Sequence, residues 1–111
     1  MNITNEKEMN AKELRLNNWV INPFGTLFQI TVIDERMYDF KPIPLTEEWL
    51  VKFGFEYDVL EEFYFEMNDI RGQFYEEENS FELDHYELAN CYYVHQLQNL
   101  YFALTGQELE I

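Results

Sequence analysis

After Arg71 the sequence contains no lysine or arginine. Residues 53–111 hold fourteen acidic side chains and one basic one, whereas residues 1–52 hold eight and six, so nearly all of the net charge of -15 falls on the C-terminal half. A stretch so one-sided repels itself, and its compact state has to be driven by aromatic burial rather than by ion pairs. The rings are there: ten Phe, eight Tyr and two Trp, within an apolar content of 47% that excludes a wholly disordered chain. A length of 111 residues fits one domain, 1–111, and no Pro/Gly/Ser linker separates the acidic half from the mixed one.

The charge also limits partners. A surface of this sign repels phosphate, which argues against direct, salt-driven binding to DNA or RNA. No apolar run approaches the ~20 residues of a membrane span, and the opening MNITNEKEMN lacks the apolar core of a signal peptide. The lone cysteine, Cys91, can form no intramolecular disulfide. Together these features predict a protein of a reducing cytoplasm.

Local patterns predict an α+β fold, a small antiparallel sheet with a short central helix and a C-terminal helix packed on the sheet. Residues 1–12 are polar and mixed in charge, expected as a frayed turn leading into Lys12–Leu16. Trp19-Val20-Ile21 and Thr26 to Asp34 flank Asn22-Pro23-Phe24-Gly25, a hairpin pattern. In its second arm Phe28, Ile30 and Val32 alternate with Gln29 and Thr31, the period of a half-buried strand. Thr46 is an N-cap for a helix over Glu47–Phe53, with Glu47 and Glu48 at its positive end, Leu45 able to close on Leu50, and Gly54 as its stop. Phe63, Phe65 and Met67 then alternate with Glu62, Tyr64 and Glu66, and Phe81, Leu83 and His85 with Glu82, Asp84 and Tyr86. Breaks at Asn68–Gly72 and Glu77–Ser80 complete a meander with one buried and one acidic face. Val94, Leu97, Tyr101 and Leu104 recur at helical spacing, Leu100 beside them, up to Gly106.

Three stretches taken in order carry a resemblance: KELRLNNWV (Lys12–Val20), PIPLTEEWLVKFGF (Pro42–Phe55) and YYVHQLQNLYFALTGQELEI (Tyr92–Ile111). They resemble a family of small proteins from phages and prophages of Bacteroidota bacteria, the C-terminal YVHQLQNLYFALTGQEL block being the most specific. Glu56 to Cys91 departs from the family pattern and is much more acidic. The resemblance implies a mobile-element origin, a shared fold and the cytoplasm of a bacterial host; it brings no catalytic residue.

Candidate chemistry is sparse. Cys91 and His95, four apart, could share a helix face as a thiol–imidazole pair, but no third orienting group or oxyanion donor accompanies them. A structural cysteine and a capping or core histidine are expected instead. Adding His85 gives a Cys/His/His set without CxxC or HxxxH spacing, so no metal is predicted. The glycines Gly25, Gly54, Gly72 and Gly106 are isolated, which removes phosphate-cradling and dinucleotide motifs. Carboxylate pairs are too abundant to single out a catalytic one. No enzyme and no cofactor is expected. Phe63, Tyr64, Phe65, Phe74 and Tyr75 could be read as a base-stacking platform, yet their neighbours are carboxylates where such a platform needs a basic groove.

What remains is an acidic, aromatic face. Glu61, Glu62, Tyr64, Glu66, Tyr75, Glu76, Glu77 and Glu78 are the expected contacts for a basic host protein, carboxylates steering the encounter and rings supplying area. Small size, acidity, the lack of catalytic motifs and the phage kinship are together similar to anti-CRISPR proteins. The expected targets are then RNA-guided nucleases, the Cas13b type first and a compact Cas9 second, with or without guide RNA. The alternative is a phage housekeeping or assembly protein with no inhibitory activity, whose acidity serves solubility.

Overall fold

The computed structural model describes residues 13–33, 39–84 and 90–111; the expected frayed segment 1–12 and the candidate ligand His85 lie outside them. The strongest local signal forms as predicted. Helix α1 runs Glu47–Phe53, with the Thr46 side chain accepting a hydrogen bond from Trp49 N and Gly54 closing it at φ 104°. Leu45 and Leu50 are both fully buried in the main core, as a closing contact before the helix requires.

Two sheets frame that helix. Strands β1 (Trp19–Ile21) and β2 (Leu27–Gln29) pair antiparallel, with Val20 opposite Phe28. Strands β3 (Glu56–Tyr57), β4 (Tyr64–Met67), β5 (Ile70–Tyr75), β6 (Ser80–Leu83) and β7 (Asn90–Cys91) form an antiparallel meander in sequence order. Helix α2 (Val94–Thr105) follows and ends at Gly106, φ 76°. The fold is α+β, with α2 placed against the sheet.

Register explains the two faces. Phe65 lies opposite Gly72, Gly72 opposite Leu83, Phe74 opposite Phe81, and Phe81 opposite Cys91. These residues line the inner face and are buried together with Trp49, Phe53, Phe55, Val94, Leu97, Tyr101 and Leu109. Phe55 meets both Phe81 and Tyr101 edge-on, at ring separations of 5.5 and 6.4 Å, the geometry that ring quadrupoles favour. On the outer face Glu56 faces Glu66, Glu66 faces Arg71, and Tyr64, Gln73, Glu82 and Asn90 form the next row.

Helix α2 is buried on more than its apolar stripe. Gln98 is fully buried; its side chain accepts from Trp19 N at 2.8 Å and donates to Asn17 O at 2.9 Å. Asn99 accepts from Asn18 Nδ2 and Arg15 Nε, both at 2.9 Å, and donates to Glu13 O. Arg15 also forks onto Glu108 at 2.8 and 3.2 Å and covers the Phe102 ring. This polar seam satisfies buried amides that would otherwise each cost about 1–3 kcal/mol, and it binds the start of the chain to its end.

Several expected boundaries move. The second hairpin arm stops at Gln29 instead of continuing to Asp34. Ile30 is fully buried, its backbone exchanging hydrogen bonds with Asn17 and Asn18, and the chain bends at once afterwards, leaving Val32 exposed. Phe63 does not belong to the alternating strand. It sits at φ 68°, half exposed, just before β4, with its carbonyl taken by Phe74 N. The break expected over Asn68–Gly72 is only the pair Asn68-Asp69, at φ 49° and 69°, a tight turn whose twist suits a two-residue hairpin; Ile70–Gly72 are strand. The second break is Glu76–Asn79, and Ser80 opens β6, fully buried. Among the described residues no helix is long and apolar enough to cross a membrane.

Candidate docking surface

The outer face and the turns around it carry every residue expected to meet a partner, but they fall into separate groups. At one end, the β5–β6 turn exposes Glu76, Glu77 and Glu78 beside Tyr75. With Phe63, Gln73 and Phe74 these residues line an open hollow of about 370 Å³ that includes three carboxylates and no cation. The turn is short because Glu78 N and Asn79 N bond back to the Tyr75 and Glu76 carbonyls, and Asn79 takes the left-handed φ of 52° that asparagine tolerates. The turn therefore sets three consecutive exposed glutamates on the tip of one hairpin.

Tyr75 is anchored rather than free. Its hydroxyl lies 3.1 Å from Gln73 Oε1 and 3.3 Å from Glu82 Oε1, donating to one or the other. Partial desolvation, and then the Glu82 carboxylate, raise the hydroxyl above its ordinary pKa of 10.0, so it stays a neutral donor.

In the middle of the sheet, Arg71 gathers the acids around it. Its guanidinium lies 2.8 Å from Asp58, 3.3 Å from Glu61 and 3.7 Å from Asp84, and stacks 4.1 Å above the Tyr64 ring. The single base of the acidic half is thus fully engaged by carboxylates. Glu61 and Tyr64, expected among the partner contacts, are both engaged by Arg71, Glu61 remaining exposed. Glu62 and Glu66 are exposed, Glu62 in the loop before β4 and Glu66 on the outer face opposite Glu56.

The residues considered for catalysis sit elsewhere. Cys91 is buried on the inner face at the junction of β7 and α2, and burial pushes its thiol up to about 12, opposite to what an activated nucleophile needs. His95 is buried in the first turn of α2, stacked on Tyr93, with Nε2 3.9 Å from a Glu13 carboxylate oxygen. Among the described residues no cluster of three or more His, Cys, Asp or Glu side chains could hold a metal ion.

The buried thiol makes a direct prediction. A chromogenic disulfide reagent at pH 8 should leave Cys91 untouched in the folded protein and titrate one thiol after denaturation in urea. Because the folded value lies above the unfolded one, the contribution of Cys91 to stability is complete below about pH 9 and is lost as pH rises toward 12. Rapid labelling of the native protein at pH 8 would contradict the burial.

Sequence reading missed one feature of this surface. Val59 and Leu60, in the β3–β4 loop, are 87% and 90% exposed. Apolar residues between strands read by default as core, and only the loop geometry sets these two apart. Compared with family models, curated proteins and solved structures, the chain matches none of them.

Proposed function

We propose that this chain is a non-enzymatic binding module that docks its acidic face on a basic protein surface, and that it acts as an inhibitor by occupying that surface. The observation that carries this reading is the hollow walled by Glu76, Glu77 and Glu78 together with the half-exposed rings of Phe63 and Tyr75. Three like charges on one hairpin tip make the local potential strongly negative, and water alone gains nothing from having aromatic rings beside them. A cationic groove can satisfy both, taking the carboxylates as ion-pair partners and the rings as contact area. RNA-guided nucleases have such grooves where they hold guide and target, so the Cas13b type is the first target and a compact Cas9 the second.

The test is binding kinetics against purified effectors, each with and without guide RNA. Attraction between opposite charges reaches over a Debye length of about 10 Å at 0.1 M salt, so the association rate should fall as salt rises. Reversing Glu76, Glu77 and Glu78 to Lys should slow association about tenfold or more and change dissociation much less. Binding that ignores both salt and the triple reversal, or no binding at micromolar concentration, sinks this function. Comparing guide-free with guide-loaded effector distinguishes occupation of an empty channel from arrest of the loaded complex.

The assembly-protein reading has one observation in its favour. Phe24, at the tip of the β1–β2 hairpin, is 90% exposed, and Leu27, which opens β2, is also open to solvent. Sedimentation showing a stable self-assembled form that buries this hairpin, together with failed effector binding, would select that reading.

A further inference from the structure

The β3–β4 loop holds two apolar side chains in water, and it is not a loose loop. Arg71 grips Asp58 and Glu61 on either side of Val59 and Leu60. Asp58 Oδ1 accepts from Leu60 N at 2.8 Å, and Asp58 N donates to Tyr64 O at 2.8 Å, closing the neck of the loop. Phe63 N, at the far end, donates to the Tyr57 hydroxyl. So many polar ties fix a pair whose exposure contributes nothing to folding.

Beside the pair lies a hollow of about 480 Å³ whose walls include Met67, Glu56, Glu66 and Asp69. Glu56 and Glu66 are directly opposite each other across β3 and β4, a like-charge pair that works against the sheet. Arg71 is the cross-strand neighbour of Glu66 on the other side, yet its guanidinium is committed to Asp58, Glu61 and Asp84.

We propose that Val59 and Leu60 are the apolar anchor with which this chain grips a basic amphipathic segment of its partner protein. Apolar side chains of that segment pack on Val59 and Leu60, while its lysines or arginines lie over Glu56 and Glu66. The inference deepens the acidic-docking reading and rests on it. Charge complementarity selects the occupant. A second copy of this chain would bring carboxylates onto carboxylates, and a wholly apolar ligand would leave Glu56 and Glu66 desolvated beside each other. A loop already held in place loses little freedom on binding, and an apolar anchor acts chiefly by slowing dissociation.

The test uses the intact, isotope-labelled protein and two probe peptides of equal charge. One is an amphipathic helix with a leucine face and a lysine face; the other has serine at every leucine. The leucine peptide should shift the amide signals of Glu56–Leu60 and Glu66–Asp69, and bind about tenfold or more tighter than the serine peptide, a difference near 1.4 kcal/mol. Leu60→Ser, at a site too exposed to disturb the fold, should abolish that preference. Equal affinity for the two peptides, shifts confined to Glu76–Glu78, or a Leu60→Ser protein that still prefers the leucine peptide would each overturn the anchor. No nuclease enters this measurement, so failure here leaves steering by Glu76–Glu78 intact, and failed nuclease binding leaves the anchor measurable.

Discussion

Leu97→Asp is expected to leave the chain unfolded at room temperature. Leu97 is fully buried, on the stripe of α2 that joins Val94 and Tyr101 in the main core. Truncation to alanine at such a site costs about 2–5 kcal/mol through lost burial and the cavity left behind. An aspartate adds the desolvation of a charge with no uncommitted arginine to answer it: Arg15, which reaches α2, is already bound to Asn99 and Glu108, and Arg71 is shared by three carboxylates. Against a total stability of about 5–15 kcal/mol for a domain of this kind, the combined loss is enough to empty the native state. Circular dichroism and urea titration decide it: a soluble Leu97→Asp protein with a wild-type spectrum and midpoint would mean that the face of α2 was assigned wrongly.

The second large effect is expected at Gly72, where the sign of the outcome is informative. Alanine in a strand interior ordinarily stabilises relative to glycine by about 0.5–1 kcal/mol, because glycine loses more freedom on folding. Here an added methyl carbon would lie 2.5 Å from the Glu82 carbonyl oxygen and 2.9 Å from the Phe81 ring. Neither can yield easily, since the oxygen belongs to the β6 backbone and Phe81 is fully buried between Phe74 and Cys91 in register. Gly72→Ala is therefore expected to destabilise by about 3 kcal/mol, the upper part of the usual cost of overpacking. An unchanged or raised urea midpoint would show that the β5–β6 ladder can spread.

These two sites also mark how far the sequence could be read. Leu97 was legible because helical spacing depends only on neighbours, as do the cap at Thr46 and the stop at Gly54, and both helices form where local chemistry places them. Gly72 was not: it stood in an expected break, and its place in the core face depends on Phe81 crossing over it from another strand. Phe63 shows the opposite failure. Its alternation with Phe65 was real in the sequence, but a positive φ and the hydrogen bond from Phe74 take it out of the strand.

The candidate surface divides in the same way. Glu76, Glu77 and Glu78 stood out in the sequence as a run of like charge, and the expected break at Glu77–Ser80 lay within one residue of the turn they form. The capture of Glu61 and Tyr64 by Arg71, and the exposure of Val59 and Leu60 that follows, depend on a loop folding back over the sheet. Periodicity carries no trace of that.

The polar seam between Arg15–Trp19 and Gln98–Glu108 has a consequence for how the chain is made. Arg15 and Glu108 are 93 positions apart, and Gln98 holds the backbone of Asn17 and Trp19 across about 80 positions. During synthesis the N-terminal hairpin emerges first, while the amides that complete it are still untranslated or inside the ribosome. Until α2 is released the hairpin lacks these partners, and contacts this distant in sequence close slowly. The hairpin therefore reaches its native packing only after Val94–Thr105 has been made and released.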